Sequence, residues 1–134
     1  MAELPQALTS TARRSGDEYA WPIDAFASAL DVATTISLAC LGGQFQFLFS
    51  DAVCEMYWLS ADSDDQRENE SWFDYVIRSN KEVQERFERL LVCVDFEDEA
   101  RRWPSVIPHD SQFMDAVVFC AYFVTEADRR RACK

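Results

Sequence analysis

His109 is the single histidine of the chain, and paired with Cys93 or Cys120 it would make a nucleophilic dyad. A dyad needs imidazole and thiol within hydrogen-bond reach, and sequence alone does not bring them together. Pro108 and Asp110 flank His109, which reads as a surface turn before a helix. A solvated or structural histidine is therefore the expectation. The cysteines are Cys40, Cys54, Cys93, Cys120 and Cys133, and no two have the close spacing of a zinc knuckle, roughly two to four intervening residues. Asp62, Asp64 and Asp65 open something like a calcium loop. Arg67 then stands where that loop needs glycine, and Phe73 where it needs glutamate.

Phosphate-binding loops need glycine so that the backbone can approach the anion, and only Gly16, Gly42 and Gly43 are present. Gly42–Gly43–Gln44 matches the tripeptide of peptide-release factors, but it leads straight into an aromatic strand and reads as a helix stop. Carboxylates are too abundant for any one pair to stand out as a glycosidase acid and base. No catalytic, cofactor-binding or metal-ligating residue is nominated, and the chain is expected not to be an enzyme.

Charge is the stronger signal. Against 24 acidic side chains stand 13 basic ones, a net charge of -11. Such a field repels nucleic-acid phosphate and anionic lipid and attracts basic partners. Direct nucleic-acid binding and membrane binding are thus disfavoured. An odd number of cysteines, mostly in apolar stretches and without a C-x-x-C pair, suits free thiols in a reducing cytoplasm. No secretory signal and no uninterrupted apolar span is visible; Asp24, Asp31 and Asp115 break the greasiest segments.

The elements that would position a site follow from periodicity. Residues 1–16 read as a flexible leader, and 17–134 as one α+β domain, ample in apolar residues at 49%. Residues 22–41 read as a helix with Pro22 in its first turn and Gly42 as its stop, although Thr34, Thr35 and Ile36 allow an extended second half. Residues 44–59 read as a β-hairpin turning at Ser50–Asp51, with Phe45, Phe47 and Phe49 on one face and Gln44, Gln46 and Leu48 on the other. Residues 60–71 form an acidic loop. Ser71 caps a short helix, and Ser79 with Glu82 suggests a capping box for the next, which carries the stripe Val83, Phe87, Leu90, Leu91 and Val94. A last helix from Asp110 or Ser111 is one reading of the C-terminal third. A buried strand over 116–124 is the other. The fold expected is helices packed on a small antiparallel sheet centred on the 44–59 hairpin.

Aromatic side chains concentrate beside the acidic loop, from Phe45 to Tyr75. Most should build the core, but tyrosine and tryptophan within a charged rim are also the ingredients of a binding hot spot. The candidate surface is Glu55, Tyr57, Asp62, Asp64, Asp65, Glu68, Glu70 and Trp72.

In size, acidity and lack of catalytic motifs the chain resembles, at the level of class, the small bacterial immunity proteins of polymorphic and contact-dependent toxin systems. The resemblance implies a cytoplasmic inhibitor of a basic toxin, such as a nuclease, acting by electrostatic steering and active-site occlusion. Two alternatives stand beside it. A nucleic-acid mimic directed against a defence complex would need its carboxylates in a long stripe. An adaptor or chaperone module would need an exposed apolar groove.

Overall fold

The computed structural model describes residues 4–108 and 112–132. Strands β3 (Ala39–Leu48) and β4 (Val53–Asp62) pair antiparallel through a turn closed by the Phe49 N–H donating to the Ala52 carbonyl at 2.9 Å. Successive strand side chains point to opposite faces. Phe45, Phe47, Cys54 and Met56 are accordingly buried on one face, while Glu55 and Tyr57 are exposed on the other. This is the expected hairpin, extended at its open end. Phe45 opposes Met56 but Gln44 opposes Ser60, so Tyr57, Trp58 and Leu59 bulge out of the pairing.

Three further strands complete one antiparallel sheet: β1 (Arg13–Ser15), β2 (Glu18–Pro22) and β5 (Val117–Val124), in the order β1-β2-β5-β3-β4. Of the two readings of 116–124, the strand is the one found, and it takes the central place. Its alternate residues Val117, Phe119, Ala121 and Phe123 enter the main core, while Val118 and Cys120 are buried on the opposite face. A possible cap at Asp110 or Ser111 lies outside the described residues. The stretch read as a leader is built into the fold from Gln6 onward. Helix α1 (Gln6–Thr9) buries Leu8 completely, the Trp21 indole donates to the Leu8 carbonyl at 3.2 Å, and β1 forms one sheet edge.

The expected helix over 22–41 is shorter: α2 spans Phe26–Thr35, and Pro22 ends β2 instead of opening a helix. Its stop is Ser37, not Gly42. Ser37 takes a positive φ of 62°, its N–H donates to Thr34 and the Leu38 N–H donates to the Ala33 carbonyl at 2.8 Å, the paired bonds of a Schellman cap. Gly42 lies within β3, where its own φ of 137° and the close approach of Asp62 require glycine. The two helices expected after Ser71 are one, α3 (Trp72–Cys93), capped by Ser71 Oγ accepting from the Asp74 N–H. Ser79 does not start a new helix; its hydroxyl donates back to the Val76 carbonyl inside the core.

Helices α2 and α3 cover one face of the sheet. Phe26, Phe45, Phe87 and Phe119 meet there with ring centroids 4.7 to 5.4 Å apart, Phe45 and Phe87 stacked. Short helix α4 (Phe96–Ala100), a 3-10 turn (Phe113–Ala116) and Leu8 of α1 join the same core. Helix α5 (Glu126–Ala132) follows β5, with Thr125 and Asp128 satisfying each other's backbone N–H groups at its start. Among the described residues no helix is long and apolar enough to cross a membrane.

Candidate functional site

The acidic loop between β4 and α3 is held by arginines of α3. Arg78 lies over it and bonds both oxygens of Glu70 at 2.7 Å, Glu82 at 2.8 Å and the Asp65 carbonyl at 3.0 Å. That grip draws the Glu70 carboxyl down to about 2 and raises the pKa of Arg78, each chiefly through their shared hydrogen bonds. Arg86 bonds the Asp62 carbonyl and reaches Asp64 Oδ1 at 3.3 Å, and Arg129 of α5 comes within 3.7 Å of Asp65.

The candidate residues therefore divide. Asp62, Asp64, Asp65 and Glu68 are exposed on the loop, Asp65 almost fully. Glu70 is turned inward and engaged. Trp72 is a peg rather than a surface residue: its indole donates to the Ser37 carbonyl at 3.0 Å and its ring packs on Tyr75. Glu55 and Tyr57 sit further back along β4, on the face away from α2 and α3, and Tyr57 is 74% exposed. Beside it Trp58 is bonded by its indole to Glu99 at 3.2 Å and covered by the Arg102 guanidinium. The structure thus presents a loop group and a sheet-face group in place of one continuous surface.

The sheet face holds residues that sequence reading passed over. Ser15 donates its hydroxyl to Gln46 Oε1 at 2.9 Å, although β2 and β5 lie between their strands. Three flat strand spacings would separate them by roughly 14 Å. The sheet must therefore curl, and the β1–β2 hairpin leans over its own open face. Ala20, Val118 and Cys120 are fully buried beneath it, with Leu48 packed alongside. Glu18, Cys120 and Tyr122 share side-chain hydrogen bonding there. Burial first, then the charges of Glu18 and Glu55, pushes the Cys120 thiol up to about 12, so it stays protonated at neutral pH. Burial and the bond to Glu18 also raise Tyr122. Gln46 is fully buried, and its Nε2 has no hydrogen-bond acceptor among the described residues. Strand β2, Glu18–Pro22, was missed because Pro22 reads as a helix start.

Of the cysteines, Cys40, Cys54 and Cys120 are buried and Cys93 is exposed, all as free thiols. His109 lies outside the described residues. No group of three or more histidine, cysteine or acidic side chains placed to hold a metal ion occurs among the described residues. A cleft of about 190 Å³ beside α4 is lined largely by Ala100, Pro104, Ile107 and Phe113, with Glu97 and Arg101 paired to each other at 3.5 Å.

No protein-family model, curated protein or solved structure matches this chain.

Proposed function

We propose that this protein is an acidic inhibitor that binds and neutralises a basic protein partner, in the manner of the immunity proteins it resembles at the level of class. The target in this reading is a toxin, with a nuclease as the leading case, met in the cytoplasm. The observation that carries it is how the chain spends its cations. Arg78, Arg86, Arg101, Arg102, Arg129, Arg130 and Arg131 pair with the chain's own carboxylates, while Arg67, Lys81 and Arg89 are exposed with no carboxylate in ion-pair distance among the described residues. Glu55, Asp62 and Glu68 remain exposed with no cation within ion-pair distance among the described residues. The surplus of negative charge therefore faces outward. Steering a basic surface onto it raises the association rate, and the seated inhibitor then blocks the target's active site sterically.

The second acidic cluster supports a local patch over the stripe that a nucleic-acid mimic needs. Asp95 caps α4 by accepting from the Asp98 N–H at 3.1 Å, Glu97 and Asp98 pair with Arg101, and Glu99 pairs with Arg102. Little of that charge is left to imitate a phosphate backbone.

The test is affinity capture from a lysate of the native host at low and moderate salt, read by mass spectrometry. Retention of one basic protein, weakened by combined Asp62→Asn, Asp64→Asn, Asp65→Asn and Glu68→Gln, is the expected result. If no basic protein is retained even at low salt, the inhibitor reading fails and the charge serves solubility alone.

A further inference from the structure

We propose that the outer edge of β4 is where the partner docks, by adding an extended basic segment to the five-stranded sheet as a further strand, with a cation of that segment opposite Glu55. This rests on the reading of a basic partner given above and names its surface and its mode of binding. The ladder fixes which groups are free. Phe49 and Ala52 close the hairpin with a hydrogen bond, and the register runs on through Leu48–Val53, Phe47–Cys54 and Gln46–Glu55. Residue pairs in an antiparallel ladder alternate between bonded and unbonded. Cys54 and Met56 therefore bond to β3, whereas Val53 and Glu55 turn their N–H and C=O outward. The sheet ends at β4, and no strand or loop among the described residues takes up those outward groups. A row of outward donors and acceptors at strand spacing is the template for another strand.

The edge is also unguarded. The opposite edge, β1, is 3 residues long and carries Arg13 and Arg14. β4 is 10 residues long and holds no lysine, arginine or proline, the residues that commonly keep an edge from pairing. Its side chains on the face away from the helices are exposed: Val53 at 43%, Glu55, and Tyr57 at 74%. They offer an apolar contact, a charge and an aromatic ring on alternate residues, so an incoming strand is read on its own alternate residues. The accessible run ends at the bulge, where Trp58 is bonded to Glu99 and covered by Arg102. Charge decides the occupant. Glu55 stands mid-run with no cation within ion-pair distance among the described residues, and accepts only from the Gln44 amide at 3.5 Å. Asp51 and Asp62, both exposed, flank the run. A second copy of this chain brings another net charge of -11, and pairing centred on Glu55 sets carboxylate against carboxylate. A segment with arginine opposite Glu55 and β-branched residues on either side of it complements the edge.

The probe is a short peptide with arginine at its centre, a valine two places to either side and lysine at both ends. A second peptide is methylated on the backbone nitrogens of that arginine and both valines. It keeps every charge and side chain but loses the donors that would face β4. Both are titrated into the whole protein at low ionic strength, with amide exchange read by NMR and affinity by fluorescence anisotropy. The Val53 and Glu55 amides should exchange freely in the protein alone and slow by roughly tenfold or more with the first peptide. Methylation should weaken binding by roughly tenfold. Glu55→Gln and Glu55→Pro remove the same charge, but only proline also removes the outward N–H, and neither breaks a bond to β3. Glu55→Pro should bind the first peptide roughly fivefold more weakly than Glu55→Gln. If Glu55→Pro does not fold, the two peptides decide on the unsubstituted protein. Equal affinity of the two peptides, or protection centred on residues 62–70, overturns strand addition and leaves the basic-partner reading standing. Protection of the two amides without peptide, growing with protein concentration, assigns the edge to a second copy and overturns the basic occupant. No binding of either peptide at low ionic strength overturns the proposal and the basic-partner reading together.

Discussion

Arg78 holds Glu70 by two hydrogen bonds of 2.7 Å, one from Nε and one from Nη2. The pair joins the second residue before α3 to its second turn, and so fixes the course of the acidic loop. Glu70 ionises at about 2 in the folded chain against an ordinary 4.5, mainly because Arg78 donates to its carboxylate. The folded state therefore holds that proton less readily than the unfolded one. The resulting stabilisation is complete above the ordinary value and is lost as pH falls toward about 2. Arg78→Met should lower Tm by a constant amount at neutral pH, and the two melting curves should converge as pH drops through that window. Parallel curves down to the acid limit would contradict the assignment.

Asn80 ties three elements together. Its Oδ1 accepts from the Cys40 N–H at 2.8 Å, and its Nδ2 donates to Thr34 Oγ1 at 2.9 Å and to the Leu38 carbonyl at 3.0 Å. Asn80→Leu strands a buried donor and a buried acceptor where α2 turns into β3. Each orphan costs about 1–3 kcal/mol, so a total loss of about 3 kcal/mol is expected in urea denaturation. A loss below about 1 kcal/mol would mean that the helix shifts to let water in.

Gly43 and Gly16 make a contrast between space and backbone conformation. A Cβ on Gly43 would stand 2.2 Å from the Cys120 carbonyl oxygen and 2.9 Å from Ala121 Cα, both backbone of the central strand. Gly43→Ala should destabilise by at least about 3 kcal/mol or prevent folding. Gly16 has a φ of 64° and open space around it, so Gly16→Ala should cost only about 1 kcal/mol. Equal effects in the two denaturation curves would count against the packing of β3 on β5.

Much of the secondary structure was legible because local patterns and tertiary packing agree. The two-residue period of Gln44–Phe47 and the Ser71 cap are read directly from sequence and recur in the structure. The failures share a cause: a local signal overridden by packing. Pro22 suits a helix start but ends a strand, where its missing N–H matters little. Ser79 and Glu82 have capping-box spacing, yet one buried face runs from Tyr75 and Val76 through Ser79 and Asn80 to Val83 and Phe87, so one helix of 22 residues forms. The acidic loop was visible from composition alone. The sheet face was not, because Ser15 and Gln46 meet only when the sheet curls, and curl has no one-residue signature.

The thiols should separate cleanly by reactivity. In a Cys133→Ser background, a thiol reagent should label Cys93 rapidly at neutral pH. Cys40, Cys54 and Cys120 should react only on unfolding, because they are buried and because burial pushes Cys40 and Cys120 up to about 12. Mass mapping of the labelled peptides checks this. Rapid labelling of Cys120 in the native protein would show that the curled β1–β2 hairpin does not close over the open face.

The account's central claim is that outward-facing negative charge recruits a basic partner. The most direct measurement is the association rate with the captured partner as ionic strength is raised, followed by stopped-flow fluorescence from the native tryptophans. The rate should fall by roughly tenfold or more between low and high salt, with dissociation changing far less. An association rate that is indifferent to salt would contradict electrostatic recruitment.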